Sequence, residues 1–480
     1  MNSILEIGKR ALLAQQRGLD ITGNNISNVN TPGYTRQEAI LSESDPINYP
    51  NFSLGTGVFA DRIRQYREQY LDKEMRGAIS RKAGYETDGN MIQRIQTAIN
   101  EPSDYGLDTA MDDFFGSVED LNSKPDDIAN RETFLTKANN LAKTFNSVNT
   151  NLTDLRQQVY GTLSNDVDQV NRLLGNIAEL NQKIAQSKTN QGQVSGTLLD
   201  TQGQMLEELS KYGELAINRD GNGAADVTMN GTMVVSLTNP SKISLLQNIN
   251  STTGEITVSF GILDKTGNQV GTYKPQSGEL ASLANAYNVT LDDKDSSGGF
   301  SLRKNLDSLA NAFVSKVNSV SQTGYGLDDI GATPPGRNIF TPAASGGTIT
   351  AASIAVTPAL LNSPRDIPAS ATVGTPGNSD VFLQVGQLAN DKSFVNAQSA
   401  RAFYASTISK VANMGADAKN NLAISDLTKT QLTTQRESIV GVNLDEEAVN
   451  MIKFQRAFEA AARVINTTND LLGTIVNLGR

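Results

Sequence analysis

The 480-residue chain contains no cysteine, no histidine and no tryptophan. Without cysteine it has no disulfide framework, no thiolate nucleophile and no Cys-ligated metal. Without histidine it has no imidazole base, which excludes Ser-His-Asp triads and zincin-type metal sites. The net charge of −10 argues against a protein that mainly binds nucleic-acid phosphates. We therefore expect no enzyme, no resident metal or cofactor and no nucleic-acid partner.

Long apolar runs are also missing. No stretch reaches the roughly 18 apolar residues that a membrane-spanning helix requires, so no membrane span is predicted. Glu6, Lys9 and Arg10 interrupt the apolar residues at the N-terminus, which is not expected to act as a cleavable signal. Hydrophobic residues make up 38% of the chain. This low fraction predicts thin cores, such as those of helical rods, rather than a compact globule.

Proline is distributed unevenly. Seven of the fourteen prolines lie between Pro334 and Pro376, and none lies between residues 126 and 239. Because an interior proline breaks a helix, the Pro-free stretch can hold long helices. Residues 330–395, which are rich in proline and glycine, are predicted to be irregular.

The Pro-free stretch carries a heptad pattern that predicts one unusually long helix ending near Lys188. Further helices are predicted at residues 198–209, 278–287, 302–320 and 395–438. The apolar residues of the long heptad are Phe134, Ala138, Leu141, Phe145, Val148, Leu152, Leu155, Val159, Leu163, Val167, Val170, Leu174 and Ile177.

Between residues 212 and 277 the pattern changes from helical to alternating. Apolar and polar residues alternate, and Asn230-Gly231 and Thr266-Gly267-Asn268 are turn signals. These features predict a small β-rich domain inserted between helical parts of the chain.

Both ends of the chain carry apolar stripes at helical spacing. Asn443 and Glu446 form a capping-box pattern at the start of a helix predicted over residues 444–478, about 50 Å long. The stripe of this helix consists of Met451, Phe454, Phe458, Ala461, Ile465, Thr468, Leu472 and Ile475. The N-terminal stripe recurs every seven residues and consists of Leu5, Leu12, Leu19 and Ile26.

Two interpretations of these stripes are open. In one, the two ends form a helical hairpin inside a single subunit; in the other, both stripes face neighbouring copies in an assembly. Small or polar residues beside the N-terminal stripe, namely Gly8, Gln15 and Thr22, favour assembly, because a weak seam orders only when it is surrounded. The two stripes together contain twelve residues. All of them except Thr468 are therefore predicted to form a subunit interface.

An unusual polar segment follows the N-terminal stripe. Asn24, Asn25, Asn28 and Asn30 surround one helix end, and Pro32-Gly33 fits the centre of a type II turn. Together with Thr31 and Tyr34, this motif resembles the N-terminal motif of the bacterial flagellar axial proteins of rod, hook and junction. The last forty residues resemble the C-terminal helix of the same family. Residues 54–87 and 101–146 resemble its hook-associated junction members. Where that family carries an Asp-Gln-Arg-Asp run, this chain has Asp200-Thr201-Gln202-Gly203-Gln204.

The resemblance implies a mainly α fold with a β-rich inserted domain, in which a long antiparallel helical rod is built from both chain ends and the domains are nested. Residues 1–60 with 440–480 are expected to form a coiled-coil-like assembly domain, 61–211 with 278–439 a helical shaft, and 212–277 the outer inserted domain. It also implies export through the flagellum's own secretion apparatus after a transient cytoplasmic stage. The protein would be extracellular, at the hook–filament junction.

The implied partners are copies of the chain itself in a ring, the hook protein, a second junction protein and a cytoplasmic export chaperone that binds the C-terminal helix. Two alternatives stay open: another axial protein of hook or rod, and an axial scaffold that carries an adhesin or a glycan-acting insertion. The turn at residues 293–298 resembles half of a calcium loop, but position twelve would be Lys304 instead of a bidentate Glu, so no calcium site is predicted.

Overall fold

The computed structural model describes residues 2–49, 52–101, 103–191, 194–221, 223–252, 254–292, 299–344 and 346–478. The candidate calcium turn at 293–298 lies outside the described residues. The helices are α1 Asn2–Ser27, α2 Gln69–Ile99, α3 Leu107–Ser123, α4 Ile128–Gln191, α5 Gly196–Ser210, α6 Gly278–Asn285, α7 Leu302–Ser321, α8 Pro358–Asn362, α9 Asp380–Gln387, α10 Ala400–Val440 and α11 Leu444–Leu478.

The strands form small antiparallel sheets. The sheet orders are β1-β4, β2-β3, β5-β6-β7-β8, β11-β10-β9 and β12-β13. The strand bounds are β1 Gln37–Glu43, β2 Ile47–Tyr49, β3 Phe52–Leu54, β4 Val58–Gln65, β5 Leu215–Arg219, β6 Ala225–Met229, β7 Thr232–Ser236, β8 Asn239–Pro240, β9 Lys242–Ile249, β10 Ile256–Leu263, β11 Gln269–Tyr273, β12 Phe340–Pro342 and β13 Ile354–Val356.

Helix α4 is the axis of the molecule. It runs for 64 residues, about 96 Å at 1.5 Å per residue. Every residue of its predicted heptad is buried, from Phe134 to Ile177, against α3, α2, α5 and the inserted sheets. The long-helix prediction is therefore confirmed, and the fold is mainly α with a β-rich insertion, as expected.

The inserted β-sheets dock on α4 through asparagine side chains that imitate strand pairing. Asn181 donates to the carbonyls of Ala225 at 2.8 Å and Leu237 at 2.6 Å, and its Oδ1 accepts from the Ala225 amide at 3.0 Å. Asn171 exchanges two 2.8 Å hydrogen bonds with the backbone of Ile243. Because α4 satisfies backbone groups at the start of β6 and in the edge strand β9, the β-rich insertion is anchored to the helical shaft.

The predicted turns in the insertion are present. Asn230 and Gly231 join β6 to β7 with positive φ angles of 44° and 83°, a conformation that favours this residue pair. At the β10–β11 turn, Gly267 has φ 86°, and the Asp264 carboxylate accepts from the Asn268 amide at 2.9 Å.

Two long antiparallel helix pairs complete the rod. Helices α2 and α10 lie along each other, with Lys82 paired to Asp426 near the middle. Helix α2 ends where Asn100 takes the left-handed conformation, φ 57°. At the other end of the rod, α1 lies along α11.

The segment between α1 and α2 differs from the sequence-based prediction. No strand is predicted there, yet β1 pairs with β4 from Gln37↔Gln65 to Glu43↔Val58, and β2 pairs with β3. The expected coiled-coil-like assembly domain of residues 1–60 is therefore corrected for the described strands within it, namely β1, β2, β3 and the start of β4, and the expected boundary at 60/61 falls inside β4. The strands carry charged residues on an exposed face, which weakens the alternation that would reveal them.

Candidate functional site

The contact between α1 and α11 depends on glycine. A Cβ atom on Gly18 would lie 2.6 Å from the Phe454 ring, and one on Gly8 would lie 2.8 Å from Cγ1 of Ile465. Real Cβ atoms do not approach other heavy atoms so closely. The two helices therefore touch backbone to side chain, and they run antiparallel, since Gly8 meets Ile465 and Gly18 meets Phe454.

The predicted stripe of α1 lies beside this contact rather than in it. Leu5 is 36% exposed, while Leu12, Leu19 and Ile26 are half-buried. The buried positions of α1 belong to small or polar residues, namely Gly8, Ala14, Gly18, Thr22 and Asn25. Of the residues that the sequence analysis named beside the Leu stripe, Gly8 meets α11 and Thr22 is buried, whereas Gly18 was not among them.

The predicted stripe of α11 faces α1 more directly. Phe454 and Ile465 contact the two glycines, Ala461 is 8% exposed, and Met451, Phe458 and Leu472 are half-buried. Ile475 is 49% exposed, because the antiparallel register places it beyond the first residues of α1. The intramolecular interpretation thus describes this helix pair, while a role of the same residues between subunits stays a prediction.

The Asn-rich motif forms a compact hydrogen-bonded turn at the end of α1. The Tyr34 amide donates to the Thr31 carbonyl at 3.2 Å, and Gly33 between them has φ 76°, as the predicted type II turn requires. Asn28 donates to the Asn24 carbonyl at 2.9 Å, and Thr31 donates to Oδ1 of Asn28 at 3.1 Å. The side-chain amide of Gln204 on α5 donates a hydrogen bond to the Pro32 carbonyl.

Asn25 is the buried centre of the motif, at 1% exposure. Its Nδ2 donates to the Gln37 carbonyl at 2.8 Å and to Glu447 of α11 at 3.2 Å. Its Oδ1 accepts from the Tyr34 hydroxyl at 2.8 Å and from the Gln37 amide at 3.1 Å. One amide therefore joins α1, β1 and α11. Burial, followed by the nearby negative charges of Asp200 and Glu447, raises the pKa of Tyr34 to about 12, so the hydroxyl stays a donor.

An ion-pair cluster fixes the start of α11. Arg36 donates from Nε to Glu447 and from Nη1 to Glu446, each at 2.8 Å, and Glu447 is 2% exposed. Asn443 caps the helix by accepting from the Asp445 amide at 2.9 Å. The predicted N-cap is therefore present, while the Glu446 side chain pairs with Arg36.

Asp200 of α5 ties the same motif to the shaft. It accepts from the Thr35 hydroxyl at 2.7 Å, from Gln65 at 2.9 Å and from Arg67 at 3.2 Å. Burial raises the pKa of Asp200 above its ordinary value, while the hydrogen bond from Thr35 and the charge of Arg67 act in the opposite direction. The first residue of the run that departs from the axial-family pattern is thus the residue that holds the motif.

Sequence reasoning missed Arg36, Asp200 and Glu447 as members of this site. Arg36 lies two residues after the motif and Glu447 directly follows the predicted capping box, so an opposite-charge pair near the two chain ends was the available signal. Asp200 is separated from its partner Thr35 by 165 positions, and no local pattern connects them. Among the described residues, no group of three or more acidic side chains is placed to hold a metal ion.

A family model supplies the deciding comparison. Residues 92–340, more than half of the chain, match the model described as "Flagellar hook-associated protein FlgK helical domain". The chain belongs to the FlgK family of flagellar hook-associated proteins. Residues 5–35 match a flagella basal body rod protein model, and residues 435–478 match the C-terminal model of the flagellar basal body rod FlgEFG proteins. The family-specific match is therefore in the middle of the chain, whereas the ends match models named for rod proteins.

Full-length relatives agree with the FlgK assignment. Flagellar hook-associated protein 1 of Bacillus subtilis is 26% identical over 98% of this chain and 97% of its own. That of Escherichia coli is 27% identical over 100% of both chains. The solved flagellar hook junction protein FlgK from Burkholderia pseudomallei shares the fold, with a TM-score of 0.62 at 14% identity, covering 78% of this chain and all of that one. No described helix is both long and apolar enough to span a membrane.

Proposed function

We propose that this FlgK-family protein is a structural adaptor that joins the flagellar hook to the filament and assembles as a ring through its terminal helices. The observation that carries the proposal is the apolar surface that remains when α1 and α11 are paired. Exposed apolar side chains on this pair are Ile4, Leu5, Leu13, Leu444, Val449, Ile452, Val464, Leu471, Ile475 and Val476, each at least 36% exposed.

This surface suits contact with further copies of the chain. The close α1–α11 contact uses one narrow face of each helix and includes two glycines, which contribute little apolar area. Burial of each exposed Leu or Ile against a neighbour would contribute about 1.5–3 kcal/mol. Ordering a helix costs about 1–2 kcal/mol per residue, so many contacts must form together, which favours cooperative growth of a ring. The hook protein and a second junction protein are the proposed neighbours along the axis.

We also propose that the chain is exported through the flagellar secretion apparatus and that a cytoplasmic chaperone binds α11 beforehand. The face of α11 that contains Phe454, Ala461 and Ile465 is an amphipathic stripe of the kind that inserts into an apolar groove. In the folded chain this face lies against α1, so chaperone and α1 would compete for it. Deletion of residues 444–480 should abolish chaperone binding; undiminished binding would refute this part of the proposal.

Motility of a strain that lacks its own hook-associated protein 1 tests the adaptor function. The wild-type chain should restore filaments, and the variant with Ile452→Asp and Leu471→Asp should not, because two charges would enter the subunit contacts. Gln455→Asp, at an exposed polar position of the same helix, is the control and should restore filaments. Both variants should unfold at the wild-type temperature when purified.

Normal filaments from the double variant would contradict assembly through this surface. Electron microscopy of a tagged chain checks the position along the axis. Label at the boundary of hook and filament is expected, and label along the whole hook or in the rod would overturn the junction function in favour of another axial role.

A further inference from the structure

A polar cleft of about 580 Å³ lies where the terminal helices meet the shaft. It is bounded by the Asn-rich turn, the start of α2, α5, β5 and the end of α10. Four arginines line it, namely Arg67, Arg76, Arg219 and Arg436. The cleft is separate from the exposed flanks of α1 and α11 on which the ring proposal rests.

Two of these arginines are already paired with carboxylates. Arg67 donates to Asp200 at 3.2 Å, and Arg436 is paired with Glu207. Their charges are thus compensated within the chain, and Asp200 and Glu207 are occupied by the same contacts.

Arg76 is different because it is 94% buried and its Nε has no hydrogen-bond partner among the described residues. Burial lowers its pKa below the ordinary value, with the charges of Asp72 and Glu207 acting in the opposite direction. A buried guanidinium without an acceptor carries the full desolvation cost of that group. A bound acceptor that takes a hydrogen bond from this guanidinium would offset that desolvation cost.

Arg219 lines the same cleft and also lacks a charged partner in its hydrogen bonds. It donates to Oε1 of Gln202 at 2.8 Å from Nη2 and 3.2 Å from Nε, so its partner is a neutral amide. Burial, and then the positive charges of Arg67 and Arg76, lower the pKa of Arg219 to about 10, although the negative charge of Asp72 in the cleft wall acts in the opposite direction. The mutual repulsion of three guanidinium groups means that one added negative charge would stabilise all of them.

We propose that this cleft binds an oxyanion between Arg76 and Arg219, either a free phosphate-like ion or the carboxylate of an acidic side chain from a second copy of the chain. Guanidinium groups present forked donors that match both kinds of oxyanion. Because α2, α5, β5, α10 and the Asn-rich turn all line the cleft, an anion held there would fix the terminal helices relative to the shaft.

Thermal unfolding of the purified full-length chain in sodium phosphate, compared with sodium chloride at equal ionic strength, tests the proposal. Each tenfold increase in phosphate above the dissociation constant should raise the melting temperature of the wild type by on the order of 2 °C. Arg76→Gln should abolish this rise and should not lower the melting temperature in chloride, since it removes a buried charge without an acceptor. Arg81→Gln, an exposed position on the same helix, should respond like the wild type.

Phosphorus NMR of the same samples detects binding directly. The phosphate line should broaden with the wild type and with Arg81→Gln, and the broadening should fall at least tenfold with Arg76→Gln. Arg219→Gln gives a second, less buried variant if Arg76→Gln does not fold, and it should weaken binding in the same direction. An equal phosphate response in wild type and both cleft variants would overturn the proposal, because phosphate also stabilises proteins by exclusion from their surface.

Sedimentation of the chain with and without phosphate separates the two sources of the oxyanion. If the occupant is a carboxylate of a second copy, phosphate should compete with it and reduce self-association of the wild type, but not that of Arg76→Gln. If the occupant is a free ion, self-association should be unchanged or increased. An absence of any line broadening would exclude both.

Discussion

Helices α4 and α1 carry the same kind of sequence signal and use it in opposite ways. In α4 every heptad residue from Phe134 to Ile177 is buried, because α4 is surrounded by α2, α3, α5 and the inserted sheets. In α1 the Leu stripe lies at the flank, and the small-residue face meets α11. An apolar repeat therefore predicts a helix with an apolar face. Whether that face is buried within the chain depends on how many other helices and sheets of the same chain surround it.

The largest expected effect is the difference in unfolding free energy between a substitution in the apolar repeat of α4 and one in the apolar repeat of α1. Phe145 is fully buried, so Phe145→Ala should lower the free energy of unfolding by about 3–5 kcal/mol, through lost burial and the resulting cavity. Leu5→Ala, at the one exposed position of the Leu stripe of α1, should lower it by less than about 1 kcal/mol in the free chain. Urea denaturation followed by circular dichroism gives both values. Equal losses would mean that the Leu stripe is already buried in the monomer.

A smaller effect is expected from the glycines that separate the two helices of the terminal pair. Gly18→Ala would place a methyl group 2.6 Å from the Phe454 ring, and overpacking of this kind costs about 1–3 kcal/mol. Gly23→Ala, on the same helix with no heavy atom within 4 Å of the new methyl group, should instead stabilise the helix by up to about 1 kcal/mol. Hydrogen exchange of residues 2–27 and 444–478 reports both changes.

The same exchange experiment tests the expectation that the chain ends are ordered by neighbours. Amides of α1 and α11 should be far less protected than those of α4, and proteases should cut first within residues 1–60 and 440–480. Protection equal to that of α4 would refute the idea that neighbouring subunits order the terminal helices. A slower exchange with Gly18→Ala than with Gly23→Ala would contradict the close contact at Gly18.

The smallest expected effect is a pH dependence of the unfolding free energy that arises in the shaft, at Asp166 of α4. Burial, with the negative charge of Glu279, raises the pKa of Asp166 on α4 from 3.8 to about 7. Because the folded chain then binds the proton more tightly than the unfolded chain, the free energy of unfolding falls as pH rises from about 4 to about 7. Asp166→Asn should remove this slope and stabilise the shaft at pH 8 by on the order of 1–2 kcal/mol.

The exposed neighbour Asp168 supplies the control for this pH effect. Asp168→Asn should leave the pH slope of the wild type unchanged in the same urea titrations. If Asp166→Asn keeps the wild-type slope, another group is responsible for it.

Much of the helical architecture follows from local patterns. The helix predicted over 444–478 matches α11, and the type II turn at Pro32-Gly33 is present, since both depend on neighbours in sequence. The pairing of β1 with β4 was missed because both strands are largely half-exposed or exposed and carry charges that mask the alternation of apolar and polar residues. Of the candidate site where the Asn-rich motif meets α5 and α11, only the motif itself was predicted, since Asp200 and Glu447 come from distant parts of the chain.

The sequence by itself determined where this chain is helical, where the insertion is β-rich and which kinds of site its lack of cysteine and histidine excludes. The spacing of apolar residues, the turn residues and the amino-acid composition can all be read without knowing the fold. Only the tertiary structure decided which face of α1 meets α11, which carboxylate holds the Asn-rich motif and that the Nε of buried Arg76 has no hydrogen-bond partner among the described residues. Those outcomes depend on packing distances and on the desolvation of groups far apart in sequence, which no periodicity encodes.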